Sequence, residues 1–357
     1  MKKYLSFLFL SVAFYSISMA QGLEIKNDAE KKEANLFFRG DYEYGYVLPS
    51  KDLPDNNITT VIGGNFEVGF QARGRNVYDA IYAYPTYGFG FLTYGFPQTE
   101  KLGYPNALYM FLNAPFKRLK KWAFNYIIRL GMSYNWEPND PVENPSSLVL
   151  GSFRNLYISG GLEAQYLIGE SLSASLGLKF AHFSNGQSSL PNAGVNLLTP
   201  HLGIKYDFNE GERPSYEKLP KPEFTGKAME YYFTIGNGIR QVTFDSVDTG
   251  VSEKLGVSYD IRNISVAAQY QYGWMGKFGG GLDFIYWGSY DPAIELGPGG
   301  IVQAVKYPFK DYLQLGVFIS YEFVFNNVSI YAQPGYRVLR KEYEGMPTEF
   351  YQHLALK

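Results

Sequence analysis

Apolar and polar residues alternate along most of this chain, with a period of two. From Leu36 one face carries Leu36, Phe38, Tyr42, Tyr44 and Tyr46, and between them lie Phe37, Arg39, Asp41 and Glu43. From Trp122 one face is Trp122, Phe124, Tyr126, Ile128, Leu130, Met132 and Tyr134, against Ala123, Asn125, Arg129, Gly131 and Ser133. The stretches from Leu156 and from Leu313 repeat the pattern, with Glu163 and Glu322 on their polar faces. Period two places alternate side chains on opposite faces of a strand. Helical periodicity is nearly absent. The alternation predicts strands near residues 34–47, 60–71, 83–94, 104–115, 122–135, 155–168, 171–184, 196–208, 228–241, 255–272, 276–288, 311–324, 326–338 and 347–357. About fourteen strands are expected, within a range of roughly twelve to sixteen.

Alternation alone fits a soluble sandwich as well as a membrane barrel. Aromatic residues crowd the strand ends on the apolar face, as interface girdles do. The polar faces carry Gly, Ser, Gln, Arg and Glu, which suits a wet lumen. Connections also alternate in length. Phe116 to Lys121 and Gly169-Glu170 are short, like periplasmic turns; Glu137 to Arg154 and Asn185 to Val195 are long, like outward loops. The expectation is an all-β transmembrane antiparallel barrel over residues 21–357. The longer inward connection Asn209 to Gly226, with Pro214, Pro220 and Pro222, reads either as a join between an eight-strand unit and further strands or simply as a long turn. The final strand is expected to be cut short at Leu356-Lys357, without the usual closing aromatic residue.

Composition sharpens this picture. Of 357 residues, 32 are Tyr and 27 Phe, and such rings suit a membrane–water boundary. Lys2 and Lys3, the apolar stretch Leu5 to Ile17 and Ser18-Met19-Ala20 before Gln21 read as an export signal over residues 1–20. Past residue 20 there is no run of about 18 apolar residues, so no transmembrane helix is expected. The bacterial outer membrane is the expected location. A net charge of −2 leaves no electrostatic footprint for nucleic acid. The absence of cysteine excludes disulfides, thiolate metal sites and thiol nucleophiles. With only His182, His201 and His353, a multi-histidine metal centre is not expected, and no cofactor is called for.

Strand 171–184 brings in chemistry. Its even positions are Leu172, Ala174, Leu176, Leu178, Phe180, His182 and Ser184, so His182 and Ser184 share the apolar, lipid-facing side at its outer end. On the next strand Asn196 has the same parity as Leu198 and Leu202 and falls near the same rim, whereas His201 and Glu163 belong to the lumen. Polar groups facing lipid cost free energy unless they are used. A histidine can take a serine proton while a third group fixes its tautomer, and asparagine can be that third group. Backbone N–H groups of Asn185-Gly186 or Asn192-Ala193-Gly194 are candidates to receive an oxyanion. Taken alone, His-x-Ser also fits a solvated rim.

The stretch His182-Phe183-Ser184-Asn185-Gly186, followed by Pro191-Asn192-Ala193-Gly194-Val195-Asn196, resembles the hallmark segment of the lipid A 3-O-deacylases, the PagL-type or acyloxyacyl hydrolase family. The resemblance implies a small outer-membrane barrel with a serine esterase site on its outer wall, which removes an ester-linked 3-hydroxy acyl chain from lipid A of lipopolysaccharide. It implies Ser184 as nucleophile, His182 as general base, and Asn185, Gly186, Asn192 and Gly194 as residues shaping a substrate or oxyanion loop. The family's acid position is Glu, and here it is Asn196. The resemblance covers residues 34–208 and leaves residues 227–357 as additional strands outside it. A monomer is expected. The rival is a non-catalytic pore, transport or lipid-docking barrel that retains a relic site. Lys117, Arg118, Lys120 and Lys121 read as a solvated periplasmic turn, Gly279-Gly280-Gly281 as close-packing glycines, and Asp283 and Glu322 as lumen residues.

Overall fold

The computed structural model describes residues 35–73, 77–140, 142–208, 223–224, 226, 228–245, 254–288, 294–296, 302–304, 308–342 and 349–357. The expected export signal and most of the Asn209–Gly226 connection lie outside the described residues. Eight strands form the first unit: β1 (Asn35–Val47), β2 (Thr60–Gln71), β3 (Thr86–Gly95), β4 (Gly103–Arg118), β5 (Trp122–Trp136), β6 (Asn155–Leu167), β7 (Leu172–Ser184) and β8 (Val195–Asp207). They make a closed barrel in chain order. Closure is the antiparallel pairing of β1 with β8, from Phe37 opposite Asp207 to Val47 opposite Leu197. A five-residue helix, α1 (Val77–Ile81), precedes β3, which begins at Thr86, three residues later than the expected strand.

The second unit holds β9 (Ala228–Asp245), β10 (Lys254–Gln271), β11 (Gly276–Trp287), β14 (Leu313–Phe325), β15 (Val328–Leu339) and β16 (Phe350–Leu356). These form a six-stranded sheet in the order β16-β15-β14-β11-β10-β9. Two three-residue strands, β12 (Ile294–Leu296) and β13 (Val302–Ala304), pair with each other, and a 3-10 turn, Phe309–Tyr312, precedes β14. The expectation of one barrel of about fourteen strands is corrected in this respect. β1 already occupies the free edge of β8, so no later strand can enter that ring. Among the described residues no helix is long and apolar enough to cross a membrane.

Alternation dictates what each face meets. In the barrel Phe38, Tyr42, Tyr44, Tyr46, Phe66, Phe89, Leu108, Leu162, Leu176, Phe180, Leu202 and Ile204 are exposed on the outside. A belt of that size is tolerable only against lipid. Inside, Arg39, Asp41, Glu43, Glu67, Arg129, Glu163 and Lys179 are buried and cross-linked. Arg39 is bonded to Glu163 at 2.6 Å and to Asp41 at 2.7 Å, and Arg129 to Glu67 at 2.6 Å. Lys179 bonds Glu43, and His201 stands 3.3 Å from Glu163. Three cations and four carboxylates are thus cross-linked across the lumen, and each carboxylate has a cationic partner because Arg39 serves both Asp41 and Glu163.

Above them the outer end of the lumen is apolar. Leu53, Ile58, Phe96, Leu102, Trp136, Val149, Leu150, Tyr157 and Phe183 form one buried cluster that the outward loops fold over. The barrel is therefore filled by its own side chains, as small eight-stranded barrels are.

The C-terminal sheet repeats the two-faced pattern. Ile264, Val266, Phe278, Leu282, Phe284, Val317 and Ile319 are exposed on one face, while Ser265, Gln269, Asp283, Gln314, Ser320, Glu322 and Gln333 are buried on the other. Asp283 accepts from Ser265, Gln333 and Tyr351, and Glu322 accepts from Ser329 and Lys357. The Lys357 ammonium lies 3.8 Å from the ring centre of Tyr232 on β9, so the sheet curls around its polar face. A Cβ on Gly279 would lie 2.0 Å from the Ala268 carbonyl oxygen, and one on Gly281 2.1 Å from that of Val266, which explains glycine at both positions.

Candidate functional site

The three side chains singled out on β7 and β8 meet. His182 lies opposite Asn196 in the β7–β8 register, and Ser184 follows His182 by two residues on the same face. His182 Nδ1 is 2.7 Å from Asn196 Oδ1, and His182 Nε2 is 3.0 Å from Ser184 Oγ. An amide oxygen only accepts, so the bond to Asn196 holds the imidazole with its proton on Nδ1. Nε2 is then an acceptor, and the Ser184 hydroxyl donates to it. All three residues are half-buried. Parity excludes the alternatives: Glu163 and His201 are buried in the lumen and bonded to each other.

The end of β7 is held from the inside. Phe183, between the two polar residues, points inward and is fully buried. Its ring lies 5.1 Å from that of Tyr157 and 4.9 Å from that of Trp136. Because adjacent residues on a strand face opposite ways, anchoring Phe183 aims His182 and Ser184 at the membrane.

The loop between β7 and β8 is built by the asparagines of the motif. Asn185 N–H donates to Asn192 Oδ1 at 2.9 Å. The Asn185 amide donates to Ser152 Oγ and to the Ser189 carbonyl, each at 2.9 Å. Ser189 Oγ donates to the Gly151 carbonyl at 2.6 Å. Gly194 N–H donates to the Val149 carbonyl at 2.8 Å, and Leu148 N–H donates to the Asp52 carbonyl at 2.9 Å. Three outward loops are thereby stitched together beside Ser184. Periodicity carries no signal for Ser152, Gly151 or Val149, because they sit in the irregular stretch Glu137–Arg154 and meet the site only through folding.

These bonds correct part of the expected oxyanion loop. The N–H groups of Asn185 and Gly194 are already committed within the protein, so they cannot receive a developing negative charge. Gly194 has a different task. Its φ is +80°, and a Cβ there would lie 2.9 Å from His182 Cε1, so glycine makes room for the imidazole. Gly186, at φ +64°, has open space where a Cβ would stand, two residues beyond Ser184. Among the described residues of this loop, the N–H groups of Gly186 and Asn192 make no backbone hydrogen bond. Among the described residues no cluster of His, Asp and Glu has the makings of a metal site.

Below Ser184 the wall is apolar. Leu156 pairs with Ser184, Ile158 with His182, and Leu198 with Phe180, so that a strip of hydrocarbon runs from the polar group down the barrel. Fold and site together define a class: a membrane barrel that carries a linked serine, histidine and amide on its lipid-facing wall and not in its lumen. Residues 229–357 match a family model described as "Acyloxyacyl hydrolase, C-terminal domain". Over these residues, about a third of the chain, it is similar to the acyloxyacyl hydrolases, and its place is the bacterial outer membrane. The match falls on the part that the His182–Asn196 resemblance left out, so the family model covers the six-stranded sheet.

No curated protein sequence matches the chain. Among solved structures, Neisserial surface protein A is similar at 9% identity, over 50% of this chain and 100% of its own, with a TM-score of 0.36. The outer membrane enzyme PagL is similar at 13% identity, over 46% of this chain and 97% of its own, with a TM-score of 0.32. CdiB from Acinetobacter baumannii is similar at 8% identity, over 90% of this chain and 60% of its own, with a TM-score of 0.22.

Proposed function

We propose that this protein is an outer-membrane serine esterase that removes an ester-linked 3-hydroxy acyl chain from lipid A. The observation that carries the reading is the bonded series Asn196–His182–Ser184 on the lipid-facing rim. In the proposed reaction the Ser184 Oγ attacks the ester carbonyl while His182 Nε2 takes its proton. Gly186 N–H is the candidate donor to the oxyanion, and collapse of the tetrahedral intermediate breaks the acyl–oxygen bond. The sugar hydroxyl leaves with the proton from His182, and an acyl group remains on Ser184. Water, deprotonated by His182, then releases the hydroxy acid and restores the serine. No metal or cofactor enters this scheme.

The position of the site supports a lipid substrate. A substrate held in the outer leaflet reaches Ser184 sideways, with its acyl chain against Leu156, Ile158, Phe180 and Leu198. The filled lumen of the eight-stranded barrel speaks against the pore reading of that unit. The test is mass spectrometry of lipid A from cells that make the chain, beside cells that make Ser184→Ala. Loss of one hydroxy-acyl mass with the unaltered chain alone supports the esterase and its nucleophile. Unchanged lipid A in both, with the protein folded in the outer membrane, overturns it in favour of a non-catalytic barrel.

A further inference from the structure

The outer face of the C-terminal sheet is mostly apolar, and Arg262 is an exposed cation on it. Arg262 on β10 pairs with Tyr286 on β11, which pairs with Leu313 at the start of β14. Ile264, Phe284 and Leu315 form the next row down the same face. The ring of Phe309, from the 3-10 turn, stacks on Tyr286 with 5.5 Å between ring centres and walls in the row from above. Between these residues lies an open groove of about 700 Å³. Arg262 is two-thirds exposed, and its nearest carboxylate, on the equally exposed Asp260, is 3.9 Å away. Such a pair is weak and leaves the guanidinium available to a better acceptor.

Depth in the membrane follows from the strand. The two-residue turn Asn326-Asn327 and the short β10–β11 turn mark the periplasmic end of the sheet, and the long connections mark the other end. From Gly276 at the short-turn end to Tyr286 is ten steps along β11. At about 3.4 Å per step and a tilt near 40°, that is roughly 25 Å of height, the thickness of the apolar band. Arg262 therefore stands at headgroup level in the outer leaflet, in one row with Tyr286 and Leu313, and the groove reaches down from that row to Ile264 and Phe284.

We propose that this groove docks one phosphorylated, acylated lipid of the outer leaflet, with Arg262 on the phosphate and an acyl chain lying between Ile264, Phe284, Phe309 and Leu313. Charge complementarity and the leaflet on which the groove opens name this occupant; a soluble ligand would not need a wall that faces lipid. The proposal rests on the membrane location and does not depend on the esterase reading.

The test uses the full chain with Ser184→Ala, so that no lipid is hydrolysed, and with Phe309→p-benzoylphenylalanine as a local photo-crosslinker. It is reconstituted in nanodiscs with bisphosphorylated lipid A or its dephosphorylated form. The expected result is a lipid A adduct at position 309. Its yield should fall about fivefold with Arg262→Ala, as loss of one cation at a charged membrane surface predicts, and be kept by Arg262→Lys. The dephosphorylated lipid should give the low yield in every variant. No adduct in a chain that is folded by heat-modifiable gel mobility, or equal yields with all variants and both lipids, would overturn the proposal. Activity of the Ser184 site is read separately and leaves this result unaffected.

Discussion

At the scale of single residues, Asn196 sets what the site can do. Its amide oxygen holds the His182 tautomer through a 2.7 Å bond, but in the proposed reaction it brings no negative charge to the imidazolium that would form as Ser184 gives up its proton. A carboxylate at that position would supply the charge in a poorly hydrated setting, where it counts for more than in water. Asn196→Glu is expected to raise the rate of hydroxy-acyl release by about tenfold, the equivalent of roughly 1.4 kcal/mol in the barrier. Asn196→Ala is expected to lower it, because the ring loses its orienting partner. Acyl release measured at saturating lipid A checks both. A Glu variant no faster than the parent would mean that charge at this position does not limit turnover.

Among elements, the strands divide their labour by parity. The odd positions of β7 bury Lys179, Ala181 and Phe183, and the even positions expose Phe180 and place His182 and Ser184 on the wall. The buried half is cross-strand: Arg129 on β5 bonds Glu67 on β2 and lies 3.4 Å from Asp41 on β1. Its guanidinium also faces the Tyr109 ring of β4, 5.2 Å from the ring centre. Arg129→Ala leaves Glu67 and Asp41 short of a counter-charge in a closed interior and is expected to cost about 3–5 kcal/mol. Urea titration of the folded band on a semi-native gel measures this as an earlier midpoint. An unchanged midpoint would show that water reaches the lumen and screens the network.

At the scale of the whole molecule, closure decides independence. β1–β8 end with every strand edge paired, so the barrel needs nothing from residues 209–357 to satisfy its backbone in lipid. A chain that ends at residue 208 is therefore expected to fold and keep its heat-modifiable mobility in detergent. The same cut made after β7 leaves β1 without its partner and is expected to prevent folding. Failure of the longer fragment would mean that the C-terminal sheet is needed for assembly of the barrel.

Much of this was legible in the chain as written. Period-two alternation is a local property, so it placed fourteen of the strands, told lipid face from lumen, and put His182, Ser184 and Asn196 on one side. Local pattern also removed Glu163 and His201 from the site. It carried no information on which strand closes on which, because β1 and β8 meet across more than 150 residues, and the pairing energy belongs to the finished ring. One barrel or two units was for that reason decided only by tertiary structure. The same holds for the donors around Ser184. Whether the N–H of Gly194 is open to substrate depends on the Val149 carbonyl, which the folding of a separate loop brings to it. Residue type and parity determined the chemistry on offer, and long-range packing determined which of those groups remained available to use it.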